Sequence, residues 1–205
     1  MREAEARREN IRKLEMPVHG IDGVPDVIWC NYLLEALYDN DEADYALSLL
    51  TDSTDRSWLN MIRVGATMTT EAWDNKYKSN NGWSHAWSAS PAHIIPRKIM
   101  GIEPAEPGFG KINIRPRPGN LTEAKTKMPT IRGDIDVDFK QEPGKSLELN
   151  VTIPANTTAD VYMPASSKKY TLSIDGKKTS GQFSSKYVLV KDIPSGSHRF
   201  TISYE

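Results

Sequence analysis

A single cysteine, Cys30, in 205 residues leaves no partner for an internal disulfide and no basis for a cysteine-rich metal site. No run of ~18 apolar residues is present, so no transmembrane helix is expected. The start, MREAEARRENIRKLEM, has no apolar stretch able to serve as a signal-peptide core; the chain is cytoplasmic only as written, and the sequence leaves the compartment open. No surplus of charge of one sign exists either. The 26 basic and 27 acidic residues give a net charge of -1, which argues against nucleic-acid and membrane partners. GxSxG, Walker and GxGxxG patterns are missing. What remains is a globular composition, 38% hydrophobic and 26% charged, of a size for one large domain or two small ones.

The two halves of the chain differ. Residues 1–100 hold 11 Lys/Arg and 15 Asp/Glu, a net of -4; residues 101–205 hold 15 and 12, a net of +3. All five tryptophans lie in the first half, at 29, 58, 73, 83 and 87, and six of the 13 prolines fall between Pro91 and Pro118. These shifts mark a boundary near Gly101, with residues 1–103 as one part and 104–205 as the other.

The first half reads as helical. Residues 2–14 are rich in Ala, Glu and Arg, good helix formers, but too polar for a buried helix. After a loop with Pro17, Gly20, Gly23 and Pro25, Asp26 is placed to cap a helix over about 27–38 with a wide apolar stripe. Further helices are expected over 42–50, around Trp58 to Ile62 with Gly65 as the stop, and over 84–101, where Pro91 and Pro96 should shorten or bend it. The second half alternates with a period of two. Ile131, Ile135, Val137 and Phe139 form one run, Leu147 to Ile153 another, and His198 to Tyr204 a third. Turn signals at Pro143-Gly144, Asp175-Gly176 and Pro194-Ser195-Gly196 separate such runs. Seven or eight short strands are expected, arranged as an antiparallel β-sandwich. The fold class is therefore α+β in two parts.

The stretch 66–93, ATMTTEAWDNKYKSNNGWSHAWSASPAH, concentrates the chemistry. Glu71 stands near Trp73 and Asp74, and His85 lies between Trp83 and Trp87. A carboxylate beside indole walls has its protonation tuned by desolvation. Flat aromatic faces suit the C–H surface of a sugar ring, and Asn, Glu and His suit its hydroxyls. The same spacing also fits core tryptophans around a solvated acid. His85 and His93 are eight apart, not at the spacing of a helical metal pair. Cys30 reads as a small core residue. Asp134, Asp136 and Asp138 read as a solvated strand face, and the N-x-Ser/Thr triplets at Asn120, Asn150 and Asn156 as incidental.

The segments GATMTTEAWD, SHAWSASPAHIIPRKIMGIEPAEPGFGKINIRPRPGNL and VTIPANTTADVYMP resemble the C-terminal region of bacterial α-L-rhamnosidases of glycoside hydrolase family 78. NYLLEALYDNDEADYALSLL and SWLNMIRVGAT resemble the last helices of that family's (α/α)6 six-hairpin catalytic barrel. The resemblance covers about residues 20–205. It implies an incomplete barrel followed by a C-terminal β-sandwich, rhamnose-containing glycosides as substrates and no cofactor. It also implies hydrolysis with inversion by two carboxyl groups about 6.5–9.5 Å apart, one a general acid and one a general base. The family's base glutamate sits in a motif like T-x-W-E-x-W-D, which places Glu71 as the base. His85 matches a sugar-holding histidine, and Trp73 and Trp87 match pocket walls. Thr70 stands where an aromatic is usual, and Ser84 where an Asn is usual. The family's acid lies in an upstream Gly-Trp-x-Gly-Asp segment that has no counterpart here, and about five helices fall short of twelve. The expectation is a fragment or truncated paralogue with little activity alone. Apolar helix faces at Leu33, Leu37, Leu49 and Leu50 should be left uncovered by the partial barrel, to be covered by the sandwich, by another polypeptide or by self-association. The reading from a different functional class is a non-catalytic carbohydrate-binding or accessory module. A start lying far upstream of this sequence is a third possibility.

Overall fold

The computed structural model describes residues 27–165, 169–184 and 186–204. The expected helix over 2–14, the loop after it and the Asp26 cap lie outside the described residues. Contacts divide the chain into two compact units, residues 1–94 and 95–205.

In the first unit, helix α1 (Val27–Asp39) buries Val27, Cys30, Leu34, Leu37 and Tyr38. That spacing of three and four residues is one stripe of a 3.6-residue helix. Asp41, at φ +61°, turns the chain out of α1, and the Glu42 amide closes back onto the Leu37 carbonyl at 2.9 Å. Helix α2 (Ala43–Leu50) buries Ala46 and Leu47. Helix α3 (Trp58–Arg63) starts at Ser57, whose hydroxyl accepts the Asn60 amide at 3.0 Å. It stops before Gly65, at φ +94°, as expected. A 3-10 turn (Ala86–Ser88) and a four-residue helix α4 (Pro91–Ile94) follow. The two prolines do break the expected helix: a π-type turn spans Ile95–Ile99 instead. No helix of the described residues is long and apolar enough to cross a membrane.

The core of this unit joins Val27 and Cys30 of α1 to Met61 of α3 and to Trp73, with Trp58 and Ala66 packed against them. One expectation needs correcting here. Leu37 is fully buried, and Leu33, Leu49 and Leu50 are half-buried rather than open. α1 is apolar around most of its circumference, so turning its 27/30/34/37 stripe inward leaves Trp29 and Tyr32 outside. On and just after α3, Leu59, Ile62 and Val64 are exposed in the same way.

The second unit is a two-sheet β-sandwich. Among the described residues it has eleven strands, β1 (Ile102–Pro104), β2 (Lys111–Ile114), β3 (Glu123–Thr130), β4 (Gly133–Glu142), β5 (Ser146–Ile153), β6 (Thr158–Pro164), β7 (Tyr170–Ile174), β8 (Lys177–Thr179), β9 (Gln182–Ser184), β10 (Tyr187–Ile193) and β11 (Gly196–Tyr204). One sheet has the order β1-β2-β6-β10-β9, the other β3-β4-β5-β11-β7-β8. The count exceeds seven or eight because β1, β8 and β9 have three residues each, too short for a period to register. All pairings are antiparallel among the described strands except β2 with β6. Alternation places Ile135, Val137 and Phe139 of β4 inward, with Leu147, Leu149, Val151 and Ile153 of β5 beside them. Between them, Asp134 and Asp136 face Lys127 of β3, and Asp138 accepts from Asn150 Nδ2. This is the solvated strand face expected. The Tyr204 hydroxyl donates to the Pro164 carbonyl at 2.6 Å, joining β11 to β6 across the layers, and burial pushes its phenol up to about 12.

Candidate functional site

The segment 66–85 has little regular structure, yet its two ends are zipped together. The His85 amide donates to the Thr69 carbonyl at 2.8 Å, and the Thr69 hydroxyl donates to the His85 carbonyl at 3.0 Å. The Glu71 amide donates to the Gly82 carbonyl at 2.8 Å, and the Ala72 amide to Asn81 Oδ1 at 2.8 Å. This irregular ladder sets 69–72 antiparallel to 81–85 and brings Glu71 and His85 together across fourteen positions of sequence. Polar Ser, Asn and Gly residues make such a turn and give no periodic pattern to read.

Below the ladder the segment is anchored to α3. Asn60 Nδ2 donates to the Trp73 carbonyl and to Asp74 Oδ2, both at 3.2 Å, and Trp58 Nε1 donates to the Ser88 carbonyl at 2.7 Å. The Trp73 ring meets Trp58 edge-on, 5.0 Å between centroids. Asp74 accepts the Lys76 amide at 3.1 Å; that bond leads the forces holding its carboxyl below the usual range, with Asn60 adding to it. Thr70, where an aromatic residue was expected, is buried, its hydroxyl donating to the Ala72 carbonyl at 2.6 Å.

The Glu71 carboxylate is bound at both oxygens. Oε1 accepts from the Lys78 ammonium, and Oε2 accepts from the Gly82 amide at 3.2 Å. Its side chain is 19% exposed. The Lys78 bond, then the Gly82 amide, then the charges of Lys78 and His85 hold this carboxyl below the usual range, outweighing its partial desolvation. It is therefore an ionised acceptor. His85 Nδ1 accepts the Trp87 amide at 3.3 Å, so in the neutral imidazole the proton sits on Nε2, which is left as a donor. The Trp87 ring stands edge-on to the imidazole at 4.6 Å and is 48% exposed. A methyl group on Gly82 would sit 3.4 Å from Glu71 Oε2 and 3.7 Å from His85 Cδ2. The Glu71 carboxylate oxygen and the imidazole edge thus both lie close beside Gly82.

Of the residues singled out from sequence, Glu71 and Trp87 each lie beside His85. Trp73 does not: at 3% exposure its ring belongs to the core. Trp83 is exposed, its indole N–H donating to Asn75 Oδ1 at 3.0 Å. His93 lies 3.3 Å from Glu35 of α1. Among the described residues no group of three or more His, Cys, Asp or Glu is placed to hold a metal. Lys78, Gly82 and Asn60 were missed; each is one polar or small residue among many, and only the register of the ladder reveals it. A wider hollow of about 790 Å³ on the sandwich, lined by Pro104, Phe109, Pro129 and Ile131, has Glu106 as its only acidic wall residue and offers no pair of carboxyl groups. An ionised carboxylate, an imidazole donor and an exposed indole on one side suit a hydroxylated, flat-faced ligand and proton removal from water.

Comparison with known proteins bears on which ligand that is. Residues 27–99 match the family model described as the bacterial alpha-L-rhamnosidase 6 hairpin glycosidase domain, and residues 101–178 match that of the bacterial alpha-L-rhamnosidase C-terminal domain. An alpha-L-rhamnosidase of Streptomyces avermitilis is 31% identical over 180 residues, covering 83% of this chain and 17% of the relative. A crystal structure of a Streptomyces avermitilis alpha-L-rhamnosidase complexed with L-rhamnose superposes with a TM-score of 0.71 at 29% identity, over 84% of this chain and 17% of that one. The alpha-L-rhamnosidase of Dictyoglumus thermophilum, at 23% identity, shares the fold with a TM-score of 0.78 over 86% of this chain and 20% of that one. The chain thus spans about one sixth of the length of the curated relatives it matches. With two successive domain models of one family matched in order, the chain belongs to the α-L-rhamnosidases of glycoside hydrolase family 78 and corresponds to their C-terminal portion, the end of the six-hairpin domain and the β-sandwich after it.

Proposed function

We propose that this chain supplies one wall of a site that hydrolyses terminal α-L-rhamnosides with inversion. Glu71 is the general base: it takes a proton from the water that attacks the anomeric carbon. His85 donates from Nε2 to a sugar hydroxyl, and Trp87 lies against the ring. Trp73, expected as a pocket wall, serves instead in the core that anchors the segment carrying Glu71. The general acid comes from outside this chain, from the preceding part of the barrel. In this division helices α1 to α4 belong to the barrel and the strands from β1 onward form the sandwich, so the expected boundary at 103/104 moves to before Ile102, ahead of β1. The exposed Trp29, Tyr32 and Ile62 are where the missing barrel half or a second copy would pack.

The observation that carries the reading is the ladder that sets an ionised Glu71 and His85 together beside Gly82. The test is Glu71→Gln, made at the aligned glutamate of a complete family enzyme. Turnover of an aryl α-L-rhamnoside should fall about 10²–10⁴-fold, the contribution of one positioned acid–base group. Near-normal turnover would remove the assignment.

One observation favours a second reading, a non-catalytic saccharide-binding module. Lys78 covers one oxygen of Glu71, while Trp83 and Trp87 are open to solvent. Saturable quenching of tryptophan fluorescence by L-rhamnose, unchanged in Glu71→Gln and with no hydrolysis in the complete enzyme's context, would select it.

A further inference from the structure

Resting on the assignment of Glu71 as base, we infer that Lys78 is the positioning residue of this carboxylate: it ties down Oε1 and so turns Oε2 toward His85, the side on which the attacking water is deprotonated. Three observations carry this. The Lys78 ammonium donates to Oε1. The Gly82 amide, fixed by the Glu71–Gly82 backbone bond, meets Oε2 at 3.2 Å and sets the plane of the carboxylate. Oε2 and His85 Cδ2 lie 3.4 and 3.7 Å from one point beside Gly82, the ideal Cβ position, so the oxygen that Lys78 leaves uncovered is on the His85 side of the carboxylate. A carboxylate with one oxygen held by a cation and the other by a single amide keeps lone pairs on the second oxygen for a water. Lys78 can do this because the turn 73–80 brings it back over the ladder, seven residues from its partner.

The arrangement trades basicity for readiness. Lys78 and His85 are the charged or titratable groups acting on Glu71, and Lys78 contributes most. Removing the ammonium favours the protonated acid, so the carboxylate is lost at higher pH than in the native chain.

The experiment is a carboxyl-carbon NMR titration of Glu71 in this chain, with Lys78→Met and Lys78→Arg beside it. It needs no turnover, so what it shows of Lys78 is independent of any failure of Glu71→Gln to impair hydrolysis. In the native chain the Glu71 midpoint should lie below that of an ordinary glutamate, and the Lys78 Nζ resonance should shift in step with it. Lys78→Met should raise the midpoint by about one pH unit, the usual effect of losing an adjacent opposite charge, and Lys78→Arg should restore it. The Gly82 amide resonance should follow the same midpoint in every variant. An unmoved midpoint in Lys78→Met overturns the proposal. So, without recourse to any variant, does a native Lys78 Nζ signal that is indifferent to Glu71 ionisation.

Discussion

The chain on its own is expected to turn over an aryl α-L-rhamnoside at least ~10⁴-fold more slowly than a complete family member. The general acid alone accounts for about 10²–10⁴ of this. Orientation adds to it: a sugar touched on one side only, by Glu71, His85 and Trp87, is not held with its anomeric carbon in line with the water, and such positioning supplies several further kcal/mol of barrier lowering. An aglycone with a good leaving group needs less protonation, so the deficit should narrow with a nitrophenyl leaving group and widen with a sugar alcohol. Steady-state hydrolysis of the two substrates by equal molar amounts of chain and complete enzyme measures both effects. A chain within tenfold of the complete enzyme contradicts the reading that catalysis requires residues beyond this sequence.

The largest expected effect on stability is at Gly101, where the π-type turn passes into β1. Its φ of +76° disfavours any side chain, and a Cβ would lie 2.0 Å from the Arg115 carbonyl carbon and 2.1 Å from the Arg115 oxygen. These are backbone atoms held in place. The Arg115 amide donates to the Gly101 carbonyl at 2.9 Å, and β1 pairs with β2 through Ile102 and Ile114. No side chain can swing aside to relieve the clash, so either the β1–β2 pairing opens or the turn unwinds. Gly101→Ala is expected to cost ~4 kcal/mol or more, in the range reserved for backbone conflict. Urea unfolding followed by far-UV circular dichroism measures it. A loss below about 0.5 kcal/mol, the usual surface value, would show that the close approach of Gly101 to Arg115 is not there.

How much of this was legible beforehand differs between the halves. In the sandwich, Ile135 to Phe139 and Leu147 to Ile153 alternate cleanly because one face meets the opposite sheet and the other meets water. Strand positions follow from that pattern, whereas β8 and β9, at three residues, carry no period. Ile131 was grouped with the β4 alternation but lies in the turn before it, exposed, since an isolated apolar residue at a strand end extends the pattern by chance. In the helical half α1 and α3 were readable, but not which side of α1 faces inward. An almost wholly apolar helix offers two stripes, and only packing against Met61 and Trp73 decides between them. In the candidate site, residue types pointed to Glu71, His85 and Trp87, and the resemblance gave them roles. Spacing could not separate Trp73, which is core, from Trp87, which is open: both are tryptophans in a segment with no period. Lys78 was hidden for the same reason, since its approach to Glu71 depends on a turn of Asn, Lys and Ser residues whose closure is a matter of hydrogen-bond register.

The claim on which the account turns is that Glu71 stands on the side of the sugar from which water attacks. Replacing the aligned glutamate of a complete family enzyme by alanine empties that position, and azide can then occupy it. Azide nitrogen would bond to the anomeric carbon as the aryl oxygen departs with its electron pair from the opposite face. The account predicts that azide restores release of the phenol and that the product is β-L-rhamnosyl azide, identified by its one-bond C1–H1 coupling in NMR. Phenol release that azide does not raise, or a glycosyl azide of retained α configuration, would contradict it.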